Sequence, residues 1–185
     1  MRRHEAIMER RSVEAIVRAL NEADVRYLVV GGLAVVAHGY VRFTADFDLM
    51  IDLTEANVAR LEEALQGLKY APLVPVQIRE LANEDTRRRW MIEKNMIVFS
   101  LESPLHRQTT LDIFVENPID FDAAYERASL MEPLPKLSAR IISLDDLIFL
   151  KRLANRPLDG IDITELELLH SLIEDDGNKD EHLGK

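Results

Sequence analysis

Three aspartates are the residues of this sequence whose type and spacing can support chemistry. Asp46 and Asp48 are separated by one residue, and Asp112 lies between two apolar residues much later in the chain. Neighbouring carboxylates raise one another's pKa, so such a cluster is unfavourable unless a cation compensates. Mg²⁺ prefers oxygen ligands and usually completes its shell with water and substrate phosphates. The aspartates therefore indicate a Mg²⁺ site, and two such ions can act on the attacking and leaving oxygens of a phosphoryl transfer.

Two consecutive glycines supply the complementary feature. Gly31 and Gly32 follow a β-rich run, Val25–Val30, and precede a short helical segment, Leu33–His38. Backbone N–H groups in a glycine turn and at a helix N-terminus attract anions, and the missing side chains allow close approach. A Gly-Gly pair alone is usually just a turn. Its order and spacing relative to the aspartates favour a nucleotide-phosphate turn.

Strands are predicted to position the aspartates. Apolar residues alternate with acids over 46–52, and this period of two predicts a strand on which Asp46 and Asp48 point the same way. Met96–Leu101 and Thr110–Val115 are also strand-like and are predicted to pair as a hairpin. Asp112 lies on the second of these strands, on the face opposite its apolar neighbours.

Helices are predicted around these strands, and no clear pattern emerges over 70–95 apart from a helical piece around Trp90. A further short strand is expected at Arg140–Ile142. The helices are predicted at Glu5–Asn21, from Thr54 to about Leu68, Phe121–Met131, Leu144–Ala154 and about Asp159–Ile173. Strands mixed with helices imply an α/β (α+β) fold, with one mixed sheet flanked by helices and helices at the C-terminal end.

The chain is expected to form a single domain over residues 1–173. Its core covers about 25–142, the C-terminal helices cover about 143–173, and residues 174–185 are expected to be a flexible tail because they are polar and lack periodicity. With 23 basic and 33 acidic residues the net charge is −10, which argues against a general nucleic-acid coat protein.

The composition also narrows the available chemistry. The absence of cysteine excludes disulfides, cysteine-ligated zinc and thiol catalysis. No apolar run reaches the roughly 18 to 20 residues of a membrane helix, and the first residues are too charged for a signal peptide. We therefore expect a cytoplasmic protein without a membrane partner.

These motifs resemble those of the DNA polymerase β-type nucleotidyltransferase superfamily, and the closer resemblance is to its bacterial AbiEii-type, toxin-like branch. The matching residues are Gly31-Gly32, Gly39, Arg42, Thr44, Asp46-Phe47-Asp48 and Leu111-Asp112-Ile113. The C-terminal residues Lys151, Arg156-Pro157, Asp159 and Asp162 are similar to the ending of that branch. One departure is that many superfamily members have Gly-Ser where this chain has two glycines.

The resemblance implies the nucleotidyltransferase fold and transfer of a nucleoside monophosphate from an NTP to a hydroxyl, with release of pyrophosphate. In this scheme Asp46 and Asp48 hold two Mg²⁺ ions, while Asp112 holds the catalytic ion and helps to deprotonate the acceptor. Gly31, Gly32 and Lys151 contact the triphosphate, and Arg42 and Thr44 brace the acidic strand. These are the catalytic, metal-binding and nucleotide-binding residues that the sequence predicts.

Several of these residues can have a structural role instead of a functional one. A lysine on an amphipathic helix, such as Lys151, is often a solvated or snorkelling side chain. Arg42 can equally form an ion pair with Asp46 or Asp52. Asp159 can simply cap the last helix, and Asp162 can lie in its first turn.

The sequence leaves three hypotheses for the acceptor and the biological role. The first is a toxin of a toxin–antitoxin or abortive-infection pair that adds nucleotides to tRNA; the resemblance and two basic clusters, Arg87–Arg89 and the region of Lys151, motivate it. A protein that adds a nucleotide to a partner toxin is an intermediate case. The second is a small-molecule nucleotidyltransferase, as in antibiotic resistance, because cationic drugs favour acidic pockets. The third is a non-enzymatic nucleotide-binding module or antitoxin.

Overall fold

The computed structural model describes residues 9–180, with side chains described as far as residue 172. Within this range the chain forms one mixed sheet surrounded by helices. The strands are Tyr27–Val29 (β1), Asp46–Ile51 (β2), Ala71–Pro72 (β3), Val98–Glu102 (β4), Thr110–Phe114 (β5), Ser129–Leu134 (β6) and Leu137–Ile141 (β7). The helices are Arg10–Glu22 (α1), Gly31–Ala37 (α2), Glu55–Gln66 (α3), Glu84–Lys94 (α4), Phe121–Arg127 (α5), Leu144–Ala154 (α6) and Pro157–Asp180 (α7), and a 3₁₀ helix covers Ile78–Ala82.

The strand order places the acidic strand near the middle of the sheet. The order is β3-β4-β5-β2-β1-β7-β6. β2 is parallel to β5 and antiparallel to β1, while β1 is parallel to β7. The predicted hairpin is confirmed, because β4 and β5 pair antiparallel. The predicted α/β fold with a mixed sheet is therefore confirmed as well.

The core follows from alternation along the two central strands. Apolar residues alternate with aspartates there, so each apolar side chain enters the core while each aspartate lies on the other face. The fully buried residues of these strands that flank the acids are Phe47, Leu49, Leu111 and Ile113. Helix α1 packs its apolar face on α3 and β7, as its helical spacing predicts. None of the helices within residues 9–180 is both long and apolar enough to cross a membrane.

A second hairpin, β6–β7, corrects the prediction for the segment after α5. The predicted helix over Phe121–Met131 ends at Arg127, because Ala128 adopts an extended backbone and Ser129–Leu134 forms an edge strand. Pro133 is compatible with an edge strand and disfavours helix at the residue before it. The partner of this strand is β7, which extends the predicted strand at Arg140–Ile142 towards Leu137.

The C-terminal helix is longer than predicted. Helix α7 continues to Asp180 instead of ending near Ile173, so the first part of the predicted tail is helical. The polar residues after Ile173 show no helical periodicity, so the sequence pattern does not predict this extension. Adding a residue to an existing helix nevertheless costs little free energy. Residues 181–185 and the predicted helical residues 5–8 lie outside the described range. The flexibility of the tail remains a prediction.

Candidate functional site

The two central parallel strands bring Asp48 and Asp112 side by side. In the β2–β5 register Asp48 is the partner of Asp112, and Asp46 is the partner of Thr110. Neighbouring strands lie about 4.8 Å apart, and paired residues project from the same face of the sheet. Asp46 lies two residues before Asp48 and is exposed, whereas Asp48 and Asp112 are partly buried. The three predicted aspartates therefore share one face at one end of the sheet.

The electrostatics of this cluster are unfavourable in the absence of a cation. Burial, followed by the charges of Asp112 and Asp46, raises the pKa of Asp48 to about 7. The pKa of Asp112 is also raised, first by burial and then by Asp46, while a hydrogen bond from Ser100 acts in the opposite direction. Each carboxylate thus disfavours ionisation of the next.

The donor set fits a hard divalent cation. Oδ1 of Asp112 is buried and accepts no hydrogen bond from the described residues. An orphaned buried carboxylate oxygen is costly unless a ligand satisfies it. No group of three His, Asp or Glu residues is already arranged around a metal position in the described part of the chain. Asp46, Asp48 and Asp112 nevertheless offer the all-oxygen ligation that Mg²⁺ uses, with room for water and phosphate ligands.

The glycine turn lies directly against the acidic strand. Gly31 begins α2 at the end of β1 with φ +60°, in the left-handed region, and a Cβ at this position would overlap the Asp48 carboxylate. The N–H of Gly32 points to Oδ2 of Asp48 at 3.4 Å, and the N–H of Val30 donates to the Asp48 carbonyl at 3.0 Å. Gly31 is therefore required by the close approach of a carboxylate as well as by the turn.

Arg42 and Thr44 cover the second glycine. A Cβ on Gly32 would collide with the Thr44 hydroxyl and would lie 3.0 Å from a terminal nitrogen of Arg42. Thr44 also donates to the Asp46 carbonyl at 3.3 Å, and Arg42 donates to the carbonyl of Phe43 at 2.8 Å. These contacts support the predicted brace between the glycine turn and the acidic strand.

Comparison with known protein families identifies the family to which the chain belongs. The model of the family "Nucleotidyltransferase of unknown function (DUF6036)" matches residues 11–175, which is most of the chain. The chain belongs to this family. It is accordingly an enzyme that transfers a nucleotide, and the nucleotidyltransferase superfamily predicted from the sequence is confirmed. A search of curated proteins finds no match.

Solved structures share the fold of this nucleotidyltransferase. The lincosamide antibiotic adenylyltransferase LnuA, bound to lincomycin, superposes with a TM-score of 0.59 at 15% identity, covering 88% of this chain and 99% of LnuA. The solution structure of the antibiotic-resistance factor ANT(2'')-Ia gives a TM-score of 0.52 at 16% identity, covering 92% of this chain and 93% of that one. At such low identity the likeness establishes the fold alone.

Lys151 of the nucleotidyltransferase is buried between two carboxylates. The residue is 3% exposed, and its Nζ lies 3.1 Å from Oδ1 of Asp159 and 2.6 Å from Oδ2 of Asp162. An ammonium enclosed by two carboxylates is a structural ion pair, so the geometry does not support the triphosphate contact predicted for Lys151. The alternative of a solvated or snorkelling lysine is also wrong.

Arg42 pairs with Asp162 and not with Asp46 or Asp52. Nε of Arg42 lies 2.8 Å from Oδ1 of Asp162, which is fully buried, although the N–H is not aligned for a hydrogen bond. Asp52 instead pairs with Arg26 at 2.7 Å. The sequence contains no signal for the partner of Arg42, because Asp162 is 120 positions away and approaches only after the C-terminal helices pack on α2.

Ser100 and Arg156 are site residues to which the sequence assigned no role. Ser100 is the β4 partner of Asp112 in the sheet register and contributes the hydrogen bond described above. Arg156 precedes α7, and its charge acts on Asp48. Its position in the Arg-Pro pair was the only sequence signal for it.

Replacement of the buried cation is expected to destabilise the protein. Lys151→Met leaves the carboxylates of Asp159 and Asp162 without their shared partner, and breaking a buried ion pair in this way costs about 3 kcal/mol or more. Urea denaturation of both proteins measures the loss. Arg152→Ala serves as the control because this exposed arginine pairs with exposed Glu167. Equal stability of Lys151→Met and wild type would contradict the proposed role of the lysine.

The raised pKa of Asp48 gives a stability prediction for the metal-free enzyme. Because the folded-state pKa of about 7 lies above the ordinary aspartate value of 3.8, the folded state holds the extra proton between these pH values, and stability falls as pH rises. Asp48→Asn removes this charge and is expected to raise the free energy of unfolding by about 1–3 kcal/mol at pH 8, with little difference near pH 4.

Urea unfolding in EDTA at pH 4.5 and pH 8 tests this expectation. Asp46→Asn is the matched control, since Asp46 is exposed and its replacement should change stability much less. A variant Asp48→Asn that is less stable than wild type at pH 8 would refute the electrostatic explanation.

Proposed function

We propose that this nucleotidyltransferase moves a nucleoside monophosphate from an NTP to an acceptor hydroxyl in a Mg²⁺-dependent reaction. The observation that supports the proposal is the pairing of Asp48 with Asp112 beside the Gly31-Gly32 turn. Mg²⁺ bound by Asp46, Asp48 and Asp112 would neutralise their charge and polarise the α-phosphate. The raised pKa values described above are what a cation held at this position would relieve.

The protein groups then have separate roles in the proposed reaction. Backbone N–H groups of Gly31 and Gly32 bind the phosphate chain and orient the leaving group. Asp112, next to the proposed metal position, accepts the proton of the acceptor hydroxyl. The acceptor oxygen forms a bond to the α-phosphorus, the bond between that phosphorus and the bridging oxygen breaks, and pyrophosphate leaves. Without the serine that many relatives carry, the turn depends on its backbone donors.

The first proposed acceptor is tRNA, with the enzyme acting as a toxin in the cytoplasm alongside a cognate antitoxin. This proposal rests on the resemblance to the AbiEii-type branch. The structure adds little support for it, because the basic cluster Arg87–Arg89 is engaged in internal contacts. Arg87 donates to the Leu81 carbonyl, Arg88 pairs with Glu84 and Arg89 donates to Thr86.

A small-molecule acceptor is the second candidate, and the same pairing of the basic residues favours it. RNA binding requires cations that can neutralise phosphates, whereas the described arginines of α4 and buried Lys151 are already partnered. The net charge of −10 favours a cationic acceptor. Membership of a nucleotidyltransferase family favours either enzyme over the non-enzymatic binding module.

A labelling experiment tests the reaction and identifies the acceptor class. Purified enzyme, Mg²⁺ and each α-labelled NTP are incubated separately with total tRNA, with a cell protein extract and with aminoglycoside or lincosamide antibiotics. We expect label in one of these fractions with wild type and none with Asp46→Ala or with EDTA. Label that persists with Asp46→Ala would refute the proposed site, and absence of label from all fractions with wild type would refute the proposed acceptors.

A further inference from the structure

The junction between α6 and α7 carries an ion network that neither the resemblance nor the proposed reaction explains. Lys151 contacts Asp159 and Asp162, and each of these acids also contacts an arginine. Asp162 pairs with Arg42 at 2.8 Å, and Asp159 pairs with Arg156 at 2.9 Å. Three cations therefore surround two anions, which leaves a net charge of one positive within the network.

Arg156 is the accessible end of this network. Its side chain is 71% exposed, whereas that of Asp159 is 3% exposed. The two oxygens of Asp159 accept from Nε and from one terminal nitrogen of Arg156, and Oδ2 also accepts from the Arg156 backbone N–H at 3.1 Å. Asp159 thus fixes both the backbone and the guanidinium of Arg156. A guanidinium has five N–H donors, so this contact still leaves donors for a ligand.

The network also links Arg156 to the glycine turn. Asp162, one helical turn after Asp159 on α7, holds Arg42, and Arg42 lies over Gly32. The start of α7 is therefore one side chain away from the glycine turn. Arg156 is close enough to Asp48 for their charges to interact. An exposed, pre-oriented guanidinium is thus connected, through Asp159, Lys151 and Asp162, to the Arg42 side chain that covers the glycine turn.

We propose that Arg156 binds the β- and γ-phosphates of the NTP, with Asp159 as its positioning residue, in the role that the sequence had assigned to Lys151. This inference rests on the proposed function and names one further residue of that site. Arginine pairs with phosphate oxygens through two parallel N–H donors. Lys151 contributes indirectly, because its charge offsets part of the charge of Asp159 and Asp162, so the network keeps a net charge of one positive.

Ligand binding without turnover tests the proposal. Isothermal titration calorimetry measures the Kd of Mg²⁺-tripolyphosphate, of a non-hydrolysable NTP analogue with Mg²⁺, and of the corresponding NMP for wild type, Arg156→Ala and Arg156→Lys. Loss of a charge-assisted contact is expected to weaken the first two ligands about tenfold or more. The NMP should bind equally well to all three proteins, because it lacks the outer phosphates. Arg156→Lys should retain part of the affinity.

The control is Arg152→Ala, which removes an equal charge from an exposed arginine paired with Glu167. Unchanged tripolyphosphate affinity in Arg156→Ala would overturn the inference, as would equal weakening in Arg152→Ala or equal loss of NMP binding. Wild type that binds neither the NTP analogue nor tripolyphosphate would instead refute the proposed function itself. The two failures are therefore distinguishable.

Discussion

Asp112→Asn is expected to reduce nucleotidyl transfer by about 10³-fold, through loss of a proton acceptor and of one charged oxygen ligand. The substitution keeps the shape of the side chain and its place opposite Ser100 and Asp48 in the sheet. NTP binding should weaken far less than turnover, because the glycine turn is unaltered. Initial rates at saturating NTP and acceptor measure the effect, and circular dichroism with urea unfolding verifies the fold.

Asp85→Asn is the matched control for this variant. Asp85 is an exposed residue in the first turn of α4, away from the site, and its replacement should leave the rate unchanged. A rate for Asp112→Asn within tenfold of wild type would show that Asp112 neither holds the catalytic ion nor accepts the proton.

Gly31→Ala is expected to have an effect of similar size for a different reason. An alanine would have to adopt φ +60° and would place its Cβ within the Asp48 carboxylate, so either the turn or the aspartate must move. Displacement of reacting groups by about 1 Å can cost about 10²-fold in rate. We expect at least that loss in kcat/KM, together with destabilisation of about 1–3 kcal/mol. Enzyme assays and urea denaturation measure the two effects.

Gly67→Ala provides a sensitive control. Gly67 follows α3 with φ −60°, and a Cβ there meets no atom within 4 Å. Replacement should leave activity unchanged and stabilise the protein slightly, since alanine restricts the unfolded chain. Equal activity of Gly31→Ala and Gly67→Ala would contradict the close approach of Asp48 to the turn.

The parts of the fold that could be predicted depend on local pattern. Alternation identified β2 and both strands of the β4–β5 hairpin, helical spacing identified α1 and α3, and a capping signal at Ser143 identified α6. The β6–β7 hairpin was missed because an amphipathic segment can suit a helix or an edge strand, and only pairing with β7 decides between them. The two-residue strand β3 has no periodicity of its own and exists only because β4 pairs with it.

The same distinction separates the site residues. Asp46, Asp48, Asp112 and the two glycines carry a spacing signal, and the structure brings them together. The partner of Arg42 could not be predicted, because long-range packing alone brings Asp162 to it. The register of the β4–β5 pair decides that Ser100 is the residue opposite Asp112. The sequence predicts the hairpin without its register; the structure pairs Leu101 with Leu111 and Ser100 with Asp112, and a shift of one residue would place another side chain opposite Asp112.

A crystal structure with Mn²⁺ and a non-hydrolysable NTP analogue tests most directly whether the aspartates and the glycine turn form one nucleotidyl-transfer site. Mn²⁺ replaces Mg²⁺ in oxygen-rich sites and is located by its anomalous signal. We expect the anomalous peak between Asp46, Asp48 and Asp112, with the triphosphate on the N–H groups of Gly31 and Gly32. Mn²⁺ bound elsewhere, or a triphosphate that does not contact the turn, would contradict this site.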